Sequence, residues 1–238
     1  MAAGKRDINN SCIYQYFLYD SFKNYARHQL SYLLCVCKTL SDHMYDVLRG
    51  YVSTYAQLGD AEFEKLSELL EVRRMPRKFR LVDIGQTEYY LNFMVKGLAR
   101  KYFLKGREEV ITQIAKENDL LSSSVSFLSG KPSMYVVETI EECSFLSITK
   151  QSLDKLYSYG PAMERLGRMV TTELFIQKEL WEQDQVRYST RERFVHFVRN
   201  NPELLQRVPQ KYLASYLNIK PETFSRMKHL LKNPMVEL

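Results

Sequence analysis

The segment PETFSRM, Pro221 to Met227, carries a carboxylate at Glu222 and a guanidinium at Arg226. Four residues apart, they share one face if the segment is helical. Thr223, Ser225 and the following Lys228 add hydrogen-bonding groups, so the exposed surface of such a helix could donate and accept along the groove of another polymer. The same i, i+4 spacing also suits a surface ion pair. Phe224, Met227 and Leu230/Leu231 supply an apolar stripe for the opposite side. Pro221 suits the first helical position, where its missing N–H would have had no intrahelical partner.

A helix this short needs support, and the preceding residues offer it. Tyr212, Leu213, Tyr216 and Leu217 recur at the three-to-four spacing of one buried helix face, with small Ala214 beside it to let a second helix approach. Asn218 tolerates the left-handed backbone that a tight turn between two helices needs. Charge follows the same segment. From Ser189 to the end there are nine Lys/Arg against four Asp/Glu, a surplus of five within a whole-chain surplus of six. Such a concentration suits phosphates, and a solvated basic surface is the plainer alternative.

The 238 residues are 45% hydrophobic and 26% charged, which fits one large domain or two small ones. The longest apolar run, LSYLLCVC at Leu30 to Cys37, is too short to span a membrane, and MAAGKRDINN lacks a secretory signal. Four cysteines, Cys12, Cys35, Cys37 and Cys143, do not make a disulfide framework in a chain of this length. A soluble, cytoplasmic protein is expected.

Three textures follow a Tyr-rich beginning without clear periodicity, residues 1–43. From Met44 to Leu70 the pattern predicts a short helix, a loop, and a second helix capped by Asp60. From Arg73 to Thr149, runs such as FRLVDI, YYLNFMV, VITQIA and MYVVETI are punctuated by Gly85, Gly97, Gly106 and Gly130, the rhythm of an all-β unit, with KGREEV at Lys105 to Val110 as its clearest hairpin turn. Lys150 to Tyr157 and Ala162 to about Arg187 then turn helical. Along the long helix Met163, Leu166, Val170, Leu174 and Trp181 form one stripe, which suits either self-association or packing within one chain.

This order of parts, from about Val47 to Lys232, resembles the Crp/Fnr family of transcription regulators. YLNFMVKGLARKYFL, Tyr90 to Leu104, is similar to the family's strand–VxxGxxR–strand segment, and PETFSR, Pro221 to Arg226, to its RETVSR-type start of the recognition helix. The resemblance implies an α+β chain: an N-terminal β jelly roll of the cyclic-nucleotide-binding type with lead-in helices over 44–157, a dimerisation helix over 158–188, and a winged helix-turn-helix that binds DNA over 189–238. Residues 1–43 match nothing in that fold, and translation from Met44 is expected to give a chain that folds and binds DNA as well.

Carried over by position, Glu222 and Arg226 fall where the family contacts base edges. The chemistry agrees, because a guanidinium can donate twice to guanine and a carboxylate can accept from a cytosine amino group. Lys211, Tyr212, Thr223, Ser225 and Lys228 suit phosphates, which position a protein without reading sequence. Pro221 stands where the family commonly has Arg, so one base contact is missing and the target should differ. Implied partners are duplex DNA, a second copy of the chain, RNA polymerase and a small-molecule effector of unknown identity.

The sensor half departs from the family. Members that bind cyclic AMP carry a Gly-Glu pair for the ribose and an Arg-Ser/Thr pair for the cyclic phosphate, and the corresponding positions are Ser122-Ser123 and Ser133-Met134. An enclosed phosphate without its cation keeps much of its desolvation cost, so cyclic AMP is not expected to bind. The two adenine-facing positions of the long helix correspond to Lys178 and Glu179. Lys131 could supply a substitute charge, and Ser122, Ser123 and Ser133 are candidate pocket donors, though solvated loop serines would look the same.

No cofactor or metal is expected. Cys12, Cys35 and Cys37 have long and then single-residue spacing, unlike the close CxxC loops that wrap iron–sulfur clusters, and Cys143 reads as a small buried hydrophobe. No acid–nucleophile constellation surrounds His28, His43, His196 or His229, so an enzyme is not expected. The reading from another class is a ligand-binding signalling module whose basic tail contacts a protein partner.

Overall fold

The computed structural model describes residues 43–227. The stretch holding Cys12, His28, Cys35 and Cys37, and the end holding Lys228, His229 and Leu230/Leu231, lie outside the described residues. The wing implied by the resemblance would follow the last described helix and also falls outside.

Helix α1 covers 43–53, and α2 runs over Asp60–Ser67. On α1, Leu48 and Val52 are buried, and the Tyr51 ring meets Phe93 at 4.9 Å between centroids. The cap of α2 differs from expectation. Gly59 is the N-cap, with its N–H donating to Glu62 Oε2 at 2.9 Å, while Asp60 lies within the first turn and pairs with Arg49 at 2.8 Å. An acidic residue inside the first turn still faces the positive helix end, so the local charge logic holds one residue further along.

Eight strands then form two antiparallel four-stranded sheets. They are β1 (Glu71–Met75), β2 (Arg80–Val82), β3 (Tyr90–Lys96), β4 (Ala99–Lys105), β5 (Glu108–Ala115), β6 (Leu120–Leu121), β7 (Val136–Thr139) and β8 (Cys143–Thr149). One sheet has the order β1-β8-β3-β6 and the other β2-β7-β4-β5. Their shared core contains Val82, Met94, Ala99, Leu121, Val137, Cys143 and Phe145. Burying each large apolar side chain there contributes roughly 1.5–3 kcal/mol. Cys143 is wholly enclosed, its thiol donating to the Leu98 carbonyl at 3.2 Å, and burial pushes that thiol up to about 12.

The predicted turn closes the β4–β5 hairpin, with Lys105 opposite Glu108 and Gly106 at a φ of 65°. The VKG glycine has a separate cause. Gly97 adopts a φ of 105°, and a Cβ there would come within 2.5 Å of the Glu142 carbonyl oxygen. Strand β8 thus passes too close to the β3–β4 turn for any side chain.

Helix α3 (Ser124–Ser129) interrupts the strands, and α4 (Lys150–Tyr157) leads to α5 (Pro161–Arg187), 27 residues and about 40 Å long. The tail comprises α6 (Thr190–Asn200), α7 (Leu204–Arg207), α8 (Gln210–Tyr216) and α9 (Pro221–Met227). Ser189 and Glu192 form a capping box at the start of α6. Phe194, Val198, Leu213, Ala214, Leu217 and Phe224 form the tail's core, and Leu98 and Ile140 of the roll belong to the same cluster. The tail is therefore seated on the roll.

Charge reinforces that seat. Arg207 donates to both oxygens of Glu117, at 2.9 and 2.7 Å, and to both oxygens of Glu141, at 3.2 and 2.8 Å. Glu117 Oε1 also accepts the Gly97 N–H at 3.0 Å. Hydrogen bonds from Arg207 hold the Glu117 carboxyl at about 2 against an ordinary 4.5. A depressed carboxyl stabilises the fold fully above its unfolded value, and that contribution is lost as pH falls toward the folded one. The destabilisation caused by Glu117→Gln, measured by urea unfolding, should therefore be largest above about pH 4.5 and shrink steadily toward about pH 2. A gap between the two proteins that stays constant across that window would contradict the tie.

Candidate nucleic-acid interface and effector pocket

Helices α8 and α9 meet through Asn218, whose φ of 55° is the left-handed turn that the sequence predicts. Ala214 is fully buried, and its carbonyl accepts the Ile219 N–H at 3.0 Å across the turn. Phe224 anchors α9, its ring edge-on to Phe194 at 5.1 Å. With that side fixed inward, Glu222, Ser225 and Arg226 are exposed, Thr223 is half-buried, and Lys211 is exposed on α8. Lys228 lies outside the described residues.

Tyr212 has a different surrounding. Arg100, only 3% exposed, lies with its guanidinium carbon 3.9 Å from the Tyr212 ring centroid and 4.2 Å from that of Tyr102. Glu109 and Glu138 accept from the same guanidinium, the latter at 3.0 Å. Ser215, one turn along α8, donates to the Glu109 carbonyl at 2.6 Å and accepts the Ile111 N–H at 3.0 Å. The Tyr212 ring is half-buried against the Arg100 guanidinium, and Lys211 is exposed. Sequence reasoning meets Arg100 only as the arginine of the strand segment and does not single out Ser215, whose partners are distant along the chain.

The candidate pocket residues are partly gathered. Ser133 Oγ lies 2.8 Å from Ser123 Oγ and 2.7 Å from the Tyr135 carbonyl oxygen, and accepts the Tyr135 N–H at 3.0 Å. Ser122, Ser123 and Ser133 are all buried, whereas Lys131 and Met134 are exposed. The substitute charge expected from Lys131 is thus on the surface. Its carbonyl accepts from Ser126 Oγ at 2.6 Å, which closes the loop after α3. On α5, Lys178 pairs with Glu182 at 2.9 Å.

The α5 stripe divides in two. Met163 and Leu166 are buried within the chain, and Trp181 lies beside the Tyr216 hydroxyl of α8. Between them Leu174, Phe175, Ile176 and Leu180 stay exposed, Phe175 at 60%. A groove of about 610 Å³ beside them is lined by Tyr157, Gly167, Thr171 and Phe175. Tyr157 lies over Gly167, where an added Cβ would come within 2.3 Å of the ring.

The arrangement defines a β roll followed by a long helix and a helix-turn-helix. No protein-family model and no curated protein matches the sequence. Solved structures do match. The c-di-GMP responsive global regulator CLP of Xanthomonas campestris superposes with a TM-score of 0.58 at 14% identity, over 73% of this chain and 92% of CLP. FixK2 of Bradyrhizobium japonicum gives 0.56 at 20% identity, over 68% and 84%. A crp/fnr-family transcriptional regulator from Eubacterium rectale gives 0.58 at 14%, over 76% and 87%. The chain has the fold of Crp/Fnr regulators. Among the described residues no helix is long and apolar enough to cross a membrane, and no group of three or more His, Cys, Asp or Glu could hold a metal ion.

If the exposed half of the stripe is covered by a second copy, the double variant Leu174→Glu with Phe175→Glu should sediment as a folded monomer. A folded double variant that still sediments as a dimer would place the contact elsewhere.

Proposed function

We propose that the protein is a homodimeric, sequence-specific DNA-binding transcription regulator whose effector pocket has lost the cyclic AMP mode. The observation that carries this reading is the exposed start of α9. Phe224 fixes the helix from behind, so Glu222 and Arg226 face outward together while the tail sits on the roll. A helix so held can lie in the major groove with its first turn at the base edges, and the basic tail supplies the phosphate attraction. Glu222 and Arg226 read bases. Lys211, Tyr212, Thr223, Ser225 and Lys228 contact the backbone. In a dimer the two recognition helices lie about one DNA turn apart, roughly 34 Å, which calls for a near-palindromic site. The protein acts by binding rather than by catalysis, with RNA polymerase as a further partner at promoters.

The pocket follows from the same fold. The ordinary cyclic-nucleotide mode uses a carboxylate for the ribose and a cation for the phosphate. Ser122, Ser123, Ser133 and Met134 provide neither, and a neutral hydroxyl gives a weaker bond to an anion than a guanidinium does. The titration expected for cyclic AMP and cyclic GMP is therefore flat at micromolar concentration, with DNA affinity unchanged by either. Saturable micromolar heat from either nucleotide would return the pocket to the ordinary mode.

Base reading and phosphate contact separate experimentally. Arg226→Ala should weaken binding to the preferred site by roughly 1–3 kcal/mol and relax discrimination there, whereas Lys228→Ala should weaken all sequences about equally and reduce the salt slope by about one. Equal losses on specific and random DNA for Arg226→Ala would remove it from the base-reading role.

A further inference from the structure

Among the cations of the β roll that the reading above leaves unused, Lys101 is half-buried. Lys101 lies on β4 next to Arg100, and successive strand residues point to opposite faces. Arg100, on one face, has two carboxylate partners, Glu109 and Glu138. Lys101, on the other, has none among the described residues. Its Nζ reaches the Ser122 carbonyl oxygen only at 3.4 Å and lies 5.7 Å from the Tyr135 ring centroid. Burial alone lowers its ammonium to about 8.

The surroundings are rich in donors. Ser122, whose carbonyl Lys101 approaches, is 3% exposed, and its Oγ has no hydrogen-bond partner among the described residues. The Ser123 and Ser133 hydroxyls follow, 2.8 Å apart. The buried Glu88 carboxyl accepts the Tyr90 N–H through Oε1 at 3.1 Å, and its Oε2 has no hydrogen-bond partner among the described residues. A half-buried ammonium with no carboxylate partner among the described residues, and a buried hydroxyl with no hydrogen-bond partner among them, both disfavour the fold as it stands. One anionic group placed between them would supply a counter-charge to the first and an acceptor to the second.

We propose that Lys101 and Ser122 bind the anionic group, a carboxylate or a phosphate, of a small acidic effector. This rests on the reading of the roll as an effector domain and names the chemistry it takes. The charge enters from strand β4 rather than from the Ser133-Met134 positions that would serve a cyclic nucleotide. Because Ser122-Ser123 offers no carboxylate to a ribose, the ligand is recognised by its acid group and not as a nucleoside.

The test uses the full chain with 13C-labelled lysines, succinate and inorganic phosphate as separate probes, and operator binding measured in parallel. The Lys101 resonance is identified by its loss in Lys101→Met. One of the two anions should move the Lys101 titration midpoint upward, and Lys101→Met should weaken that anion by about tenfold or more. Which anion responds tells a carboxylate ligand from a phosphate one. Lys101→Met should also raise the melting temperature without ligand, since it removes a half-buried charge that has no carboxylate partner among the described residues; a purely structural lysine would lower it. If Lys101→Met does not fold, Lys101→Arg identifies the resonance and the wild-type titration still decides. A Lys101 signal unmoved by both anions, or equal anion affinity in wild type and variant, overturns the site. DNA binding retained alongside that result leaves the regulator reading standing, whereas an anion response in a protein that binds no DNA overturns the regulator reading and keeps the site.

Discussion

The arrangement depends on how one guanidinium holds the tail to the roll. Arg207 ends α7 and reaches two carboxylates, Glu117 after β5 and Glu141 before β8, so a single side chain joins three segments. All three groups are about one-third exposed, so solvent screens the pairs and their energetic weight is modest. Their weight is geometric. A fork that must satisfy two carboxylates at once has little freedom, and Glu117 is itself fixed by the Gly97 N–H. The glycine that lets β8 pass the β3–β4 turn therefore also orients the acid that orients the tail.

Around that tie the contact is apolar and aromatic. Leu98 and Ile140 extend the tail's core into the roll, and Arg100 lies between Tyr102 and Tyr212. The roll and the helix-turn-helix thus share side chains. Arg100 of β4 and the Glu109 carbonyl of β5 both touch α8 directly, so a shift of either strand would reach α8. With the tail seated, Glu222 and Arg226 of α9 remain exposed.

What can be read from the sequence is local. The left-handed turn at Asn218, the helix start at Pro221, the Lys105 to Val110 hairpin and the buried Cys143 each follow from a few adjacent residues whose conformational or hydrophobic preferences leave little choice. The α6 capping box, Ser189 with Glu192, is equally local, yet the sequence reading does not include it. What escapes are pairings across long loops. Arg207 and its acids are 90 and 66 residues apart, Ser215 and its carbonyl partner 106, and no periodicity connects them. The candidate pocket is intermediate. Ser123 and Ser133 do meet, but a loop after α3 turns Lys131 outward, and Lys101 looks in the sequence like an ordinary strand residue between Arg100 and Tyr102. The α5 stripe is visible as a pattern, yet only the seated tail and α4 determine which of its residues remain uncovered.

DNA binding is the property on which the regulator reading depends. Random duplex fragments exposed to the purified full chain at moderate salt, recovered with the protein and sequenced, report specificity without assuming any target site. The expected result is a single enriched near-palindrome whose half-sites are centred about one helical turn apart, lost from the recovered pool when Arg226 is replaced by Ala. A recovered pool indistinguishable from the input would contradict the central claim.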